Sequence, residues 1–384
     1  MKVSNFLMGF LFCLLALGLL AAGIDKPFTG HHDDNNSYYA QVAQNYIRYG
    51  IVPLRFGQLI GRSTPQSRNF YTHHPPLLSI SLAAGLVLFG DNFTAVRLVP
   101  VLFSAATVLV FYLFLRRFFD VTAAVLAIGF LLITPMFMYF GKMADHEAPT
   151  LFFIILSLYL YSRLPGSGRS GRFRWLLLSL FFGQWFGWPA YYLAGLLFLL
   201  TRRWEILALS VFNFILFLAA VYWQTGSLAG GGLGEILLFR TGAGRLPGIT
   251  ESYTNIQLAT QELRWLYHFF TPPQFLISAV AFGASAYLWF KNRRMSIANK
   301  IWLVFFAVAV IHVVLFRTGA WRHDYWLYYF LPFFAWGIAS AVELSRRHFP
   351  RARNYIALAG LCLFATAIFQ SQPFFWALQN MVVK

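Results

Sequence analysis

Along this chain of 384 residues the apolar positions come in long blocks broken by short polar runs, without the regular period of a surface helix or strand. Each block approaches the roughly 20 residues that a helix needs to cross a bilayer. The blocks predict eleven helices, over 6–23, 96–115, 122–139, 148–163, 175–187, 188–200, 204–222, 273–290, 300–316, 327–344 and 355–369. The fifth and sixth are short, and only the turn Phe186-Gly187-Trp188-Pro189 divides them. A further apolar run, 77–89, is too short to span and follows the break His73-His74-Pro75-Pro76, so it reads as an interfacial or re-entrant helix.

Composition agrees with this map. Hydrophobic residues make up 59% of the chain, charged residues 11%, and mean hydropathy is +0.60. The fold class is therefore all-α, a polytopic transmembrane bundle of about eleven spans with a long first extracytoplasmic loop. The net charge of +17 does not imply a nucleic-acid partner, because the basic residues cluster between apolar blocks, where they set orientation. Of the 30 basic and 13 acidic residues, 17 and 3 fall on alternate connections with the N-terminus inside, leaving 13 and 10 on the other face. The whole chain, 1–384, reads as one integral-membrane domain: a module over 1–163 with outer loop 24–95, then 164–384 with outer loops 223–272 and 317–326. The first block could be a signal peptide cleaved near Ala21-Ala22-Gly23, but a retained anchor is the reading preferred here. Cys13 and Cys362 both lie inside apolar blocks and form no disulfide framework.

This topology collects the ionisable chemistry on one face. His31, His32, Asp33 and Asp34 open the first loop, and His73 and His74 close it. Lys142, Asp145, His146 and Glu147 lie between the third and fourth spans, and Arg322, His323, Asp324 and Tyr325 between the ninth and tenth. Carboxylates and imidazoles there suit proton transfer or metal ligation, and nearby arginines and Lys142 suit a phosphate. Aromatic neighbours fit both a membrane boundary and a sugar ring. An integral-membrane transferase follows from this reading, with an aqueous acceptor meeting a lipid-phosphate donor. Plainer roles compete at single positions: Asp34 or Asn35 could cap a helix starting near Ser37, and Glu147 could complement the start of the fourth span. Arg322 could be an interface anchor. Sequons at Asn35 and Asn92 are explained by chance. A transporter or lipid-linked glycan flippase is disfavoured because the spans are nearly free of ionisable residues, with His312 the clearest case. A glycan polymerase would use Arg240, Arg245 and Arg264 of the 223–268 loop, whose glycine-rich start at 230–234 also suits a lid.

Four elements in order carry a resemblance: the acidic pair Asp33 and Asp34, the His74-Pro75-Pro76-Leu77 run opening a short helix, the acidic motif at Asp145, and the late His323, Tyr325 and Pro332. The chain resembles the polyprenyl-phosphate-sugar-dependent glycosyltransferases of the GT-C superfamily, which include protein O-mannosyltransferases and lipid A aminoarabinose transferases. The resemblance implies sugar transfer from a polyprenyl-phosphate donor to an acceptor hydroxyl on the extracytoplasmic face, with inversion. Asp33 or Asp34, with Asp33 preferred, would be the base. Asp145, flanked by His146 and Glu147, would orient the acceptor or support a cation. Lys142, Arg322 and His323 would hold the lipid phosphate, and His31, His32, His73, His74, Asp324 and Tyr325 would complete the substrate site. A divalent cation is left open, with Asp33, Asp145 and Glu147 as its ligands if one binds. The acceptor is a glycan, lipid or protein. The chain departs from many such members in lacking a sizeable soluble C-terminal domain, so what that domain contributes to acceptor choice is expected to be absent here or supplied by the loops.

Overall fold

The computed structural model describes residues 3–67, 69–164, 171–227, 232–244, 252–349, 351 and 353–380. Each predicted apolar block falls on a helix. The first, α1, runs Val3–Leu20, and the loop after it is itself structured. It contains α2 (Asp33–Tyr49), a small antiparallel hairpin of β1 (Gln58–Leu59) and β2 (Phe70–Tyr71), and α3 (Leu77–Phe89). Then come α4 (Phe93–Leu115), α5 (Val121–Ile133), α6 (Pro135–Phe140), α7 (Glu147–Tyr161), α8 (Gly171–Phe186), α9 (Pro189–Thr201) and α10 (Trp204–Thr225). Two helices of the next polar stretch, α11 (Leu233–Arg240) and α12 (Asn255–Phe269), precede α13 (Pro272–Asn292), α14 (Ile297–Leu315) and the short α15 (Arg317–Arg322). A 3-10 segment, Asp324–Phe330, runs into α16 (Leu331–His348), and α17 covers Arg353–Asn380.

Among the described residues, six helical units are long and apolar enough to cross a membrane alone: α1, α4, α10, α13, α14 and the joined Asp324–His348 unit. The protein is an integral membrane protein. Proline sets two of the breaks between shorter helices. Pro135 has no amide hydrogen to continue α5, so the block predicted at 122–139 becomes α5 and α6, with Pro135 at the first turn of α6. Pro189 divides α8 from α9 in the same way. Side-chain caps fix other starts: Asn92 accepts from the Ala95 amide on α4, and Asp120 from the Ala123 amide on α5. Asn92 thus has a folding role that its sequon pattern did not suggest.

Burial separates core helices from lipid-facing ones. The Asp324–His348 unit is 83% buried, whereas α1 is 17% buried and α10 and α13 are each 22% buried. Trp302, Trp336, Phe111, Phe114 and Phe305 are almost fully enclosed, and Phe114 packs edge-on against Phe305 and Trp336, as Phe111 does against Phe305. A second apolar cluster lies under the first loop, where Val42, Tyr46, Leu59, Leu78 and Leu82 pack together. It holds α2, β1 and α3 as one cap on one end of the bundle.

Candidate active site

Helix α2 begins at Asp33, not near Ser37 as predicted, and its phase decides which polar residue points where. His32, immediately before it, has a left-handed backbone with φ 57°. Asp33 turns toward α4. Its Oδ2 accepts from the Gly30 amide at 2.8 Å and from Arg97 at 3.1 Å, and its Oδ1 accepts from Asn36 Nδ2 at 2.6 Å. Arg97, buried on α4, also donates to the carbonyls of Ile24, Lys26 and Pro27. Lys142 borders the same small polar pocket, and its Nζ donates to the Ala22 carbonyl. Burial and the Arg97 charge lower the Lys142 pKa to about 8. Asp33, Arg97 and Lys142 therefore pin the N-terminal segment against the bundle. Asp34, one residue on, is exposed.

Asn35 and Tyr39, on the opposite side of α2, face a cavity of about 320 Å³. Asn35, expected at most to cap a helix, instead donates to Asp145 Oδ2 at 2.8 Å, and the His146 amide donates to Asp145 Oδ1 at 2.7 Å. Asp145 is 5% exposed, and burial raises its pKa to about 7 against the pull of these donors and of Arg240. His146 donates from Nδ1 to the Phe186 carbonyl, leaving Nε2, 3.0 Å from the Tyr39 hydroxyl, as an acceptor. Its ring stacks on His74 with centroids 4.2 Å apart. His74 Nε2 in turn lies 3.2 Å from Arg240. Burial, helped by the Arg240 charge, pushes the pKa values of His73, His146 and His323 down to about 3, and that of His74 down as well. These imidazoles are neutral. Glu147 Oε2 and His323 Nδ1 are buried without a hydrogen-bond partner. Gly187 sits at the α8–α9 break because a Cβ there would lie 2.5 Å from Thr150 Oγ1.

The expected residues are thus divided among several places. Asp145, His146, Glu147, His73, His74, His323 and Tyr325 line the cavity; Asp33 and Lys142 line the pocket beside Arg97. His31 and His32 converge on Asp324 instead. Arg322 is exposed and is not among the cavity-lining residues. Arg240 and His312 had been noted in the sequence without a place in the site, yet both line the cavity. Arg240 comes from α11, lies over the Trp326 ring at 5.7 Å, and is the one Lys or Arg in the lining among the described residues. Arg245 and residues 230–231 of the proposed lid lie outside the described residues. Beside the cavity an apolar groove of about 580 Å³ runs along Phe56, Leu77, Ile80, Trp185, Leu216 and Trp223. In sequence, its Pro76 and Leu77 closely follow His74 of the cavity, and its Trp185 comes two residues before Gly187.

The same arrangement of helices occurs in known glycosyltransferases. ArnT from Cupriavidus metallidurans bound to undecaprenyl phosphate superposes with a TM-score of 0.67 over 99% of this chain and 77% of that one, at 14% identity. The chain has the GT-C fold. The apo state of the same ArnT gives a TM-score of 0.59 at 15% identity, over 97% of this chain and 75% of that one. The oligosaccharyltransferase of Archaeoglobus fulgidus, in complex with zinc and sulfate, gives 0.59 at 16% identity, over 95% of this chain and 53% of that one. In sequence, residues 73–223 match the family model described as dolichyl-phosphate-mannose-protein mannosyltransferase. No curated protein matches the chain in sequence.

Proposed function

We propose that this chain is a glycosyltransferase that moves a sugar from a polyprenyl-phosphate donor to an acceptor hydroxyl at the extracytoplasmic face of its membrane. The observation that carries this reading is a cavity lined by both a buried carboxylate, Asp145, and one arginine, Arg240, with an apolar groove formed by residues close to its lining in sequence. Asp145 replaces Asp33 as the preferred base, because Asp145 lines the cavity whereas Asp33 lies in the separate pocket beside Arg97. Asp145 would take the hydroxyl proton as the acceptor oxygen bonds to the anomeric carbon. The bond to the phosphate oxygen breaks on the opposite face, so the configuration inverts. Arg240 would balance the charge that grows on the leaving phosphate. The groove would hold the first part of the polyprenyl chain. A divalent cation in this cavity would be held by Asp145 and the unpartnered Glu147 oxygen, and it would supply further positive charge toward the phosphate.

The test is sugar transfer in proteoliposomes from a panel of labelled polyprenyl-phosphate monosaccharides, with extracted membranes as acceptor. Asp145→Asn should abolish transfer while leaving the fold and donor binding intact. Consumption of no donor in the panel would leave the transport reading standing in its place.

A further inference from the structure

Outside the cavity, one cluster of ligating groups has no role in the chemistry above. His31 Nε2 lies 2.7 Å from Asp324 Oδ2, and His32 Nε2 lies 3.2 Å from Asp324 Oδ1. One ligating atom from each of the three residues falls within a sphere where all are within 4.8 Å of one another. Adjacent residues on a regular backbone point their side chains apart. Here the left-handed backbone of His32 brings the two rings to 4.1 Å between centroids. The histidines are partly exposed, so an ion can reach them, whereas Asp324 is buried at its back. Two further groups near Asp324 lack partners: His323 Nδ1 and Glu262 Oε1 are both buried and unbonded. Glu262 lies on α12.

We propose that His31, His32 and Asp324 form a divalent-metal site suited to Zn²⁺, which staples the start of the first loop to the segment before α16. Two imidazoles and a carboxylate are a donor set that zinc takes readily, with a fourth position for water. Zinc bonds of about 2.0–2.2 Å place neighbouring ligand atoms roughly 3.3 Å apart, against 2.7 and 3.2 Å for the two His–Asp pairs and at most 4.8 Å across the group. The staple joins residues 293 apart in sequence. Its two halves flank the cavity, since Asn35 lies just after the histidines and His323 and Tyr325 bracket Asp324. The metal's role is structural, and the inference does not depend on the transferase reading.

The experiment uses the full-length chain without a histidine tag, in detergent, stripped with a chelator and titrated with Zn²⁺. Bound zinc is measured by mass spectrometry and thermal unfolding is followed alongside. One zinc per chain and a higher melting temperature are expected. His31→Gln and His32→Asn should each weaken zinc binding at least tenfold, while Asp145→Asn and Glu147→Gln should leave it unchanged. Both histidine positions are partly exposed, so these variants test the site even where Asp324→Asn fails to fold. The proposal is overturned by wild-type protein that takes up no zinc at micromolar concentration, which would make the cluster a plain His–Asp ion pair. Full binding by both histidine variants also overturns it, as does loss of zinc in the cavity variants instead.

Discussion

Replacing Asp145 by Asn tests the central assignment, because its burial fixes both the size and the pH dependence of the effect. Asn keeps the side chain's shape and removes its proton-accepting charge. Loss of a general base lowers kcat/KM by about 10²- to 10⁴-fold. In the wild type, a carboxyl with a pKa of about 7 is roughly one-tenth ionised at pH 6 and nine-tenths at pH 8. Transfer should therefore rise about ninefold over that interval and level off above it. Stability runs the other way. The folded pKa lies above the ordinary carboxylate value, so the contribution from this group is present below about pH 4 and lost as pH rises toward 7. Asp145→Asn should thus melt no lower than wild type at pH 7.5, which separates a catalytic loss from a folding one. The assay is donor-saturated and donor-limited transfer from pH 5.5 to 8.5 in proteoliposomes. A flat profile across this range, or a variant with wild-type turnover, would refute the assignment; inactivation by Asp34→Asn alone would move the base to that exposed neighbour.

Three other substitutions separate folding contacts from chemistry. Asp33→Asn strips the buried Arg97 of its carboxylate and should lower stability by about 3 kcal/mol, read by thermal unfolding, while the folded fraction keeps its turnover. Turnover lost without a stability change would restore Asp33 as a chemical residue. Arg240→Gln removes a charge-assisted contact worth about 1.5–3 kcal/mol, so donor KM should rise about 10- to 100-fold in steady-state kinetics; an unchanged KM places the phosphate elsewhere. Gly319→Ala would put a Cβ 1.9 Å from the Trp326 ring, which lies under Arg240. It should cost about 1–3 kcal/mol of stability and raise donor KM in the same protein, and a neutral outcome in both would contradict this packing.

The apolar blocks made the helices legible, because a run of spanning length has few other ways to satisfy its backbone. The break of α5 at Pro135 was visible as a residue but not as a boundary, since proline also occurs inside α4 at Pro100. The site was legible as a face and not as a set of contacts. Consecutive helical residues point about 100° apart, so a one-residue change in where α2 starts decides which of Asp33, Asp34 and Asn35 meets the cavity. No apolar periodicity fixes that phase in the polar opening of α2. It is set by His32's left-handed turn and by the Asp33–Arg97 pair, whose members are 64 residues apart. Arg240 was hidden for a related reason. It lies in a polar, glycine-containing stretch that read as loop, and only α11 packing beside α15 carries it to His74.

The charge balance of the cavity gives the pH argument a second consequence. Four of the lining histidines, His73, His74, His146 and His323, are held neutral by burial. Arg240 then faces two carboxylates, Asp145 and Glu147, as the one Lys or Arg of the lining among the described residues. A donor phosphate adds negative charge to this balance, and a nearby negative charge opposes ionisation of a carboxyl. The Asp145 proton should therefore be held more tightly once the donor is bound. In kinetic terms, the ascending limb of kcat, which reports the donor complex, should lie at higher pH than that of kcat/KM, which reports the free enzyme. Measuring both limbs on one preparation decides the point. A kcat limb at lower pH would mean that positive charge enters with the donor, and a divalent cation at Asp145 and Glu147 would be the arrangement to test next.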